Sequence, residues 1–382
     1  MSLTRREFAA GLAAGIAAPY VVTRASAQGA STIKIGMCVP VTGPAAEQGL
    51  WAQNGAKLAL AAVNKAGGVL GKQVELVIED DQTTNPGIVL AFSKLAAQSD
   101  IVGFLGSVRS TQVHAMAPDV LKLGKPVMIG GTDPNLTHMN NPWLFRFRPN
   151  DSYSGRVIAD FGVNTLGKKK WAIVHSTDAF GTAGGKALSA ALEKMGTPAV
   201  LDQGYANQSQ DFTPVVLAVK QSGADVLGTY FTFENDLGIF SRQLRQLGVN
   251  IPWVGSPSTV AVSSIKLAGP ALYGTYGVAD YAEQSSEASK NFGNSYREAY
   301  KTAPDLQSAW TYDAVTVLSA AINKAGGTDP GKIREAILGL KKFPGAEGEY
   351  NFDQNGDGLH GYNVVRNDKG NIVFDKHIEF ED

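Results

Sequence analysis

Two loops carry the residues best suited to hold a small anion. Gly106-Ser107-Val108-Arg109-Ser110-Thr111 follows the apolar run Ile101–Leu105, and Gly130-Gly131-Thr132-Asp133 follows Val127–Ile129. Both runs have the length of buried parallel strands. Between them, residues 111–123 show helical spacing, with Val113, Met116, Ala117, Val120 and Leu121 on one stripe. In an open α/β sheet, loops at the carboxyl ends of strands line the crevice where ligands bind. Free N–H groups at a helix start, together with the hydroxyls of Ser110, Thr111 and Thr132, suit a carboxylate. Arg109 either faces that ligand or is a surface arginine beside the pocket.

Aromatic residues supply the apolar side of such a crevice. Trp51, Phe180, Tyr230, Phe231 and Phe233 could each be ordinary core residues, but Phe180 and the cluster at 230–233 follow strand-like runs, which moves them toward the cleft. Glu234 and Asp236 come just after, and could equally be first-turn acids of the next helix. Motifs for covalent or metal chemistry are missing. There is no GxSxG elbow or P-loop, and the five histidines have neither HExxH nor HxH spacing. Asp353-Gln354-Asn355-Gly356-Asp357-Gly358 imitates the start of a calcium loop, yet its twelfth position is Val364, so a polar turn is expected. The single cysteine, Cys38, lies in the apolar run Ile33–Val39 and reads as a packed, inert thiol. These features argue against an enzyme, and no cofactor or metal is called for.

The elements that must position these loops alternate strand and helix. A strand at Ile33–Val39, a helix over 51–64 stopped by Gly67-Gly68, a strand at 73–79 and a helix opened by Asn85-Pro86 lead into the loops above. The result is βαβαβαβ, a parallel sheet with helices on both faces. After the extended run at 143–148 the alternation begins afresh and continues to about residue 255. Such a restart indicates a second, Rossmann-like lobe of similar architecture. Three helical stretches follow, at 287–301, 309–324 and 330–340, and then hairpin-forming sequence to the end.

Bulk properties set the class. A chain of 382 residues, 44% hydrophobic, buries a large core and favours two domains. With 34 basic and 35 acidic residues it has no electrostatic footprint for nucleic acid. The first 27 residues read differently from the rest. Thr4-Arg5-Arg6-Glu7-Phe8 resembles the twin-arginine export signal, an Ala/Gly-rich region follows, and Ala25-Ser26-Ala27 offers a small-x-small cleavage site. Cleavage near Ala27 is expected, giving an exported, periplasmic chain.

Further segments, taken together, resemble the periplasmic leucine/isoleucine/valine-binding protein family, the type I solute-binding components of ABC importers. They are Ile33-Lys34-Ile35-Gly36, Thr42-Gly43-Pro44-Ala45-Ala46 with Gly49, Ala61-Ala62-Val63-Asn64 with Gly67-Gly68, Glu79-Asp80-Asp81, Gly106 with Ser110-Thr111, Pro126-Val127-Met128-Ile129 with Pro134-Asn135-Leu136-Thr137, Phe145-Arg146, Val174-His175 with Gly181, and Phe352-Asp353 with Gly356-Asp357. They occur in order over nearly all of the chain beyond the export signal. The resemblance implies an α/β fold of two lobes joined by three hinge crossovers, near Arg148, Gly277 and Phe352. Lobe 1 would be residues 30–148 plus 278–352, and lobe 2 residues 149–277 plus 353–382.

By the same resemblance, the chain is a monomeric receptor that closes on a small carboxylate and delivers it to an ABC permease complex in the inner membrane. A ligand-sensing role for a membrane sensor is the alternative. Taking the residue readings and the resemblance together, the expected ligand-binding residues are Gln48, Trp51, Arg109, Ser110, Thr111, Gly130, Thr132, Phe180, Phe231 and Ser258. Two departures stand out. The key serine contact is open among Ser107, Val108 and Ser110. The loop at 255–260 lacks the acid that pairs with an amino acid's ammonium, so Asp133, Glu234 or Asp236 takes that part, or the ligand carries no amine.

Overall fold

The computed structural model describes residues 32–380; the expected export signal at 1–27 and residues 381–382 lie outside the described residues. The first half begins β1 (Ile33–Val39), α1 (Ala46–Lys65), β2 (Val74–Asp80), α2 (Asn85–Ala96), β3 (Ile101–Leu105), α3 (Ser110–Leu123), β4 (Val127–Ile129) and β5 (Leu144–Arg146). These strands form a parallel sheet in the order β2-β1-β3-β4-β5. Strands buried on both faces by helices have no need of polar alternation, which is why β3 and β4 are unbroken apolar runs. Sequence order reverses between β1 and β3, and the loops leaving those two strands diverge to open a crevice there.

The second half has α4 (Asp151–Asp160), β6 (Trp171–Ser176), α5 (Ala179–Lys194), β7 (Leu201–Tyr205), α6 (Thr213–Gln221), β8 (Val226–Tyr230), α7 (Glu234–Gln246), β9 (Trp253–Gly255), α8 (Val262–Ala268) and β10 (Tyr276–Ala279). The chain then returns to the first sheet for α9 (Glu287–Tyr300), α10 (Leu306–Ala325), α11 (Pro330–Leu338) and the short strands β11 (Phe343–Pro344) and β12 (Glu349–Tyr350). It ends on the second sheet with β13 (Gly361–Asp368) and β14 (Asn371–Glu379). That sheet runs β14-β13-β10-β9-β8-β6-β7, parallel except for the β13–β14 hairpin and its antiparallel join to β10. Its order reverses between β8 and β6.

Lobe 1 therefore gains α9–α11 from late in the chain. α10 is apolar on nearly every face because it lies between the sheet and α1, burying Trp310, Val315, Val317, Leu318 and Ile322. Gly55 permits this packing, since a Cβ there would stand 2.0 Å from the Ser308 carbonyl oxygen. β10 stays in the second sheet as far as Ala279, two residues beyond the crossover expected at Gly277. Residues 353–359 also differ from their expected place in lobe 2. Asp357 bridges to Arg146 at the edge of the first sheet, where the Arg146 N–H donates to Gly356 O (2.8 Å) and Gly358 N–H to Arg146 O (3.1 Å). The third crossover thus falls at about residue 360. The calcium-like segment is a polar turn: Asp353 accepts N–H bonds from Asn355 and Asp357, and the Asp357 carboxylate pairs with Arg146 at 2.7 Å.

Candidate functional site

A cavity of about 320 Å³ lies where the carboxyl ends of the two sheets face each other. Lobe 1 contributes Gln48 after β1, Thr83 and Asn85 after β2, residues 108–112 after β3, Arg148 at the first crossover, and Leu306 and Gln307 at the start of α10. Lobe 2 contributes Asp178 and Phe180 after β6, Asn207 and Gln208 after β7, residues 232–234 after β8 and Ser258 after β9. Its size falls in the range for enclosing a small molecule.

The lobe 1 wall is the first turn of α3. Ser110 opens the helix, and the first-turn N–H groups have no intrahelical acceptor, which leaves them for an anion. Arg109, in extended conformation just before the helix, donates its backbone N–H to Ser107 Oγ at 2.9 Å, which fixes the loop. Its guanidinium is buried and crosses to lobe 2. Nη2 donates to Gln48 Oε1 (2.6 Å), Nη1 to the Thr232 carbonyl (3.3 Å), and the group stacks 4.4 Å from the centre of the Phe233 ring. Nε has no hydrogen-bond partner. Burial lowers the Arg109 pKa, offset in part by the carboxylates of Glu234, Asp81 and Asp178.

Lobe 2 faces this cation with acids. Glu234 opens α7, and burial pushes its pKa up to about 7 against the pull of Arg109. Asp178 caps α5, accepting the Gly181 N–H (2.9 Å), the Ser176 hydroxyl (3.0 Å) and the Asn207 amide (2.8 Å). Phe180 closes the apolar side, edge-on to Tyr230 with centroids 5.8 Å apart. The cavity is bipolar: cation and helix N-terminus on one lobe, carboxylates on the other.

Of the residues expected at a site, the fold brings Gln48, Arg109, Ser110, Thr111, Phe180 and Ser258 to this cavity. Ser110 Oγ accepts N–H bonds from Thr132 (3.2 Å) and Asp133 (3.1 Å), tying the β3 and β4 loops together, and Thr111 Oγ1 accepts the Ala179 N–H (3.4 Å) from the other lobe.

Four others lie elsewhere. Thr132 turns its hydroxyl to Asp151 Oδ2 at 2.8 Å. Gly130 is walled off, since a Cβ would meet the Trp310 ring at 3.0 Å, and its carbonyl accepts from Arg148 at 3.2 Å. Trp51 stacks on Tyr296 on the outer side of α1, with centroids 5.9 Å apart. Phe231 is fully buried among Tyr205, Phe212 and Phe240, because a residue immediately after a central strand still packs under the sheet.

The three candidate acids separate in the same way. Asp133 lies 2.7 Å from His114 Nε2, and Asp236 accepts the Gln208 N–H at 2.8 Å; neither lines the cavity, and only Glu234 of the three does. Burial also lifts the Asp236 pKa, to about 6. Asp178, Asn207, Gln208, Leu306 and Gln307 escaped sequence reasoning. Asn207 and Gln208 follow directly on β7, which ends at Tyr205, so the strand-end rule reaches them once that strand's end is known.

Comparison with known proteins agrees with this geometry. A family model described as "Periplasmic binding protein" matches residues 32–371. A leucine-, isoleucine-, valine-, threonine-, and alanine-binding protein of Pseudomonas aeruginosa is 29% identical over 332 residues, covering 86% of this chain and 87% of that protein. A Leu/Ile/Val-binding protein homolog of Brucella melitensis is 26% identical over 365 residues, covering 94% and 96%. Among solved structures, a leucine binding protein LivK of Thermotoga maritima superposes with a TM-score of 0.85 at 25% identity, covering 91% of this chain and 99% of that one. With two α/β lobes facing across one cavity and a family match from the first strand to the last hairpin, the chain belongs to the periplasmic binding protein family.

Proposed function

We propose that this chain is the extracytoplasmic receptor of an ABC importer and that it captures a small α-amino acid between its lobes for delivery to a permease. The observation that carries this reading is the opposition of Arg109 and the α3 N-terminus on lobe 1 to Glu234 on lobe 2. A zwitterion satisfies both walls at once. Its carboxylate meets the α3 first turn, Ser110 and the unpartnered Arg109 Nε; its ammonium meets Glu234; its side chain rests against Phe180 and Leu306. Buried charges are costly unless paired, so a ligand lacking the amine would leave Glu234 facing only Arg109. The relatives' names, which specify branched-chain and other small amino acids, support the same class. Each lobe supplies contacts that the other lacks, so the ligand draws an open–closed equilibrium toward the closed form.

A calorimetric screen tests this. The protein is titrated with the common amino acids and with amine-free counterparts such as 4-methylpentanoate for leucine. The expected outcome is tight binding of at least one amino acid, with its amine-free counterpart weaker by about 100-fold, and loss of about 2–4 kcal/mol for that amino acid in Glu234→Gln. Equal or tighter binding of amine-free acids would overturn the amine assignment while leaving a carboxylate receptor.

A further inference from the structure

The cleft is far more polar than an aliphatic guest needs. Of its nineteen lining residues only Val108, Phe180, Phe233 and Leu306 are apolar, and the face of Phe233 is taken by the Arg109 guanidinium. These apolar residues follow inner strands or open α10. The loops after β2 and β7, the edge strands of the two sheets, bring only polar residues to the cavity: Thr83 and Asn85 from lobe 1, Asn207 and Gln208 from lobe 2. Two of these four side chains are already committed. Thr83 Oγ1 donates to the Thr42 carbonyl (3.2 Å), and the Asn207 amide donates to Asp178 (2.8 Å). The side-chain amides of Asn85 and Gln208 have no hydrogen-bond partner among the described residues. Gln208 is nonetheless held in place. Its φ of +64° lies in the left-handed region, which residues other than glycine adopt reluctantly, and the buried Asp236 carboxylate fixes it by accepting its backbone N–H at 2.8 Å.

A free amide on each lobe can both donate and accept. An aliphatic tip would strip water from both amides and return no hydrogen bond. A carboxylate tip would face Asp178 and Glu234, and a cationic tip would leave the amide N–H groups without an acceptor. A carboxamide answers both amides in kind. We propose that the amino acid taken by this cleft carries a side-chain carboxamide, read by Asn85 of lobe 1 and Gln208 of lobe 2. The inference rests on the amino-acid reading of the same cleft and narrows it: the stem of the side chain lies on Phe180 and Leu306, and its tip reaches the polar edge.

Calorimetric titration of the protein with asparagine and glutamine tests the proposal, each beside an apolar amino acid of similar shape, leucine and methionine respectively. We expect at least one carboxamide to saturate the cleft and to bind at least about tenfold more tightly than its apolar counterpart. Asn85→Ala combined with Gln208→Gly removes both amides at exposed positions, and glycine suits the backbone at 208, so the fold is kept. That variant should lose at least about tenfold for the carboxamide while binding alanine, which has no tip to read, as the parent protein does. Leucine and methionine binding as tightly as the carboxamides, or carboxamide affinity unchanged in the variant, would overturn the proposal. An equal loss for alanine would mean that the two residues shape the head-group site instead, and would overturn it as well. Succinamate, which is asparagine without its amine, separates the two assignments. Succinamate equal to asparagine, with both tighter than leucine, would overturn the amine assignment and leave the carboxamide standing.

Discussion

At the scale of single residues, Glu234 is the group whose protonation matters most. Its pKa, raised by burial to about 7, means that a proton must leave before an ammonium can pair with it. The folded, ligand-free protein holds that proton below about pH 7, so amino-acid affinity should fall as pH drops through 7, by up to about tenfold per unit. Titrations between pH 5 and 8 check this, and Glu234→Gln should flatten the profile. Thr132 has a different part. Its hydroxyl serves Asp151, a fully buried carboxyl that burial raises to about 7 despite the Thr132 bond and nearby Arg148. Thr132→Val should therefore cost about 1–3 kcal/mol of folding stability in denaturant titrations, with ligand affinity nearly unchanged. A loss of affinity equal to the loss of stability would return Thr132 to the ligand.

At the scale of elements, the most legible features were those set by local rules. β3, β4 and the helix between them are readable because buried parallel strands are short apolar runs and residues 111–123 carry an apolar stripe at helical spacing; Gly124, in left-handed conformation, ends α3. The loops after β3, β6 and β8 followed from the strand-end rule, which brought Ser110, Thr111, Phe180 and Glu234 into view. What the sequence hides is direction. Nothing local distinguishes Phe231, which turns under the sheet, from Phe233, which meets Arg109. Nor does any local signal show that the Thr132 hydroxyl points to Asp151 rather than to the cleft; that depends on where α4 packs. The return of α9–α11 to the first lobe is likewise a tertiary event, made possible by small residues on α1. Gly55→Val should push α10 off α1 and cost about 2–4 kcal/mol in denaturant titrations. A near-neutral result would mean that the two helices have room to part.

At the scale of the molecule, two sheets with facing carboxyl ends are held by polar contacts at the crossovers and across the cleft. Arg146 pairs with Asp357 and Arg148 with Asp280 where the chain passes between lobes. Burial alone would raise the Asp357 pKa, but the Arg146 guanidinium holds it below the usual carboxylate range. Across the cleft run the Arg109–Thr232 and Thr111–Ala179 bonds. Beside them lie only the Val262–Asp305 bond and the exposed Lys266–Glu47 pair among the described α8 contacts to lobe 1, so a guest that fills the cavity can decide whether the lobes stay together. The most direct test is a crystal structure with the amino acid that binds most tightly. The carboxylate should lie within hydrogen-bonding distance of the α3 first-turn N–H groups and Arg109 Nε, with the ammonium on Glu234. A carboxylate seated on lobe 2, or an ammonium more than about 4 Å from Glu234 with no water between, would contradict the account.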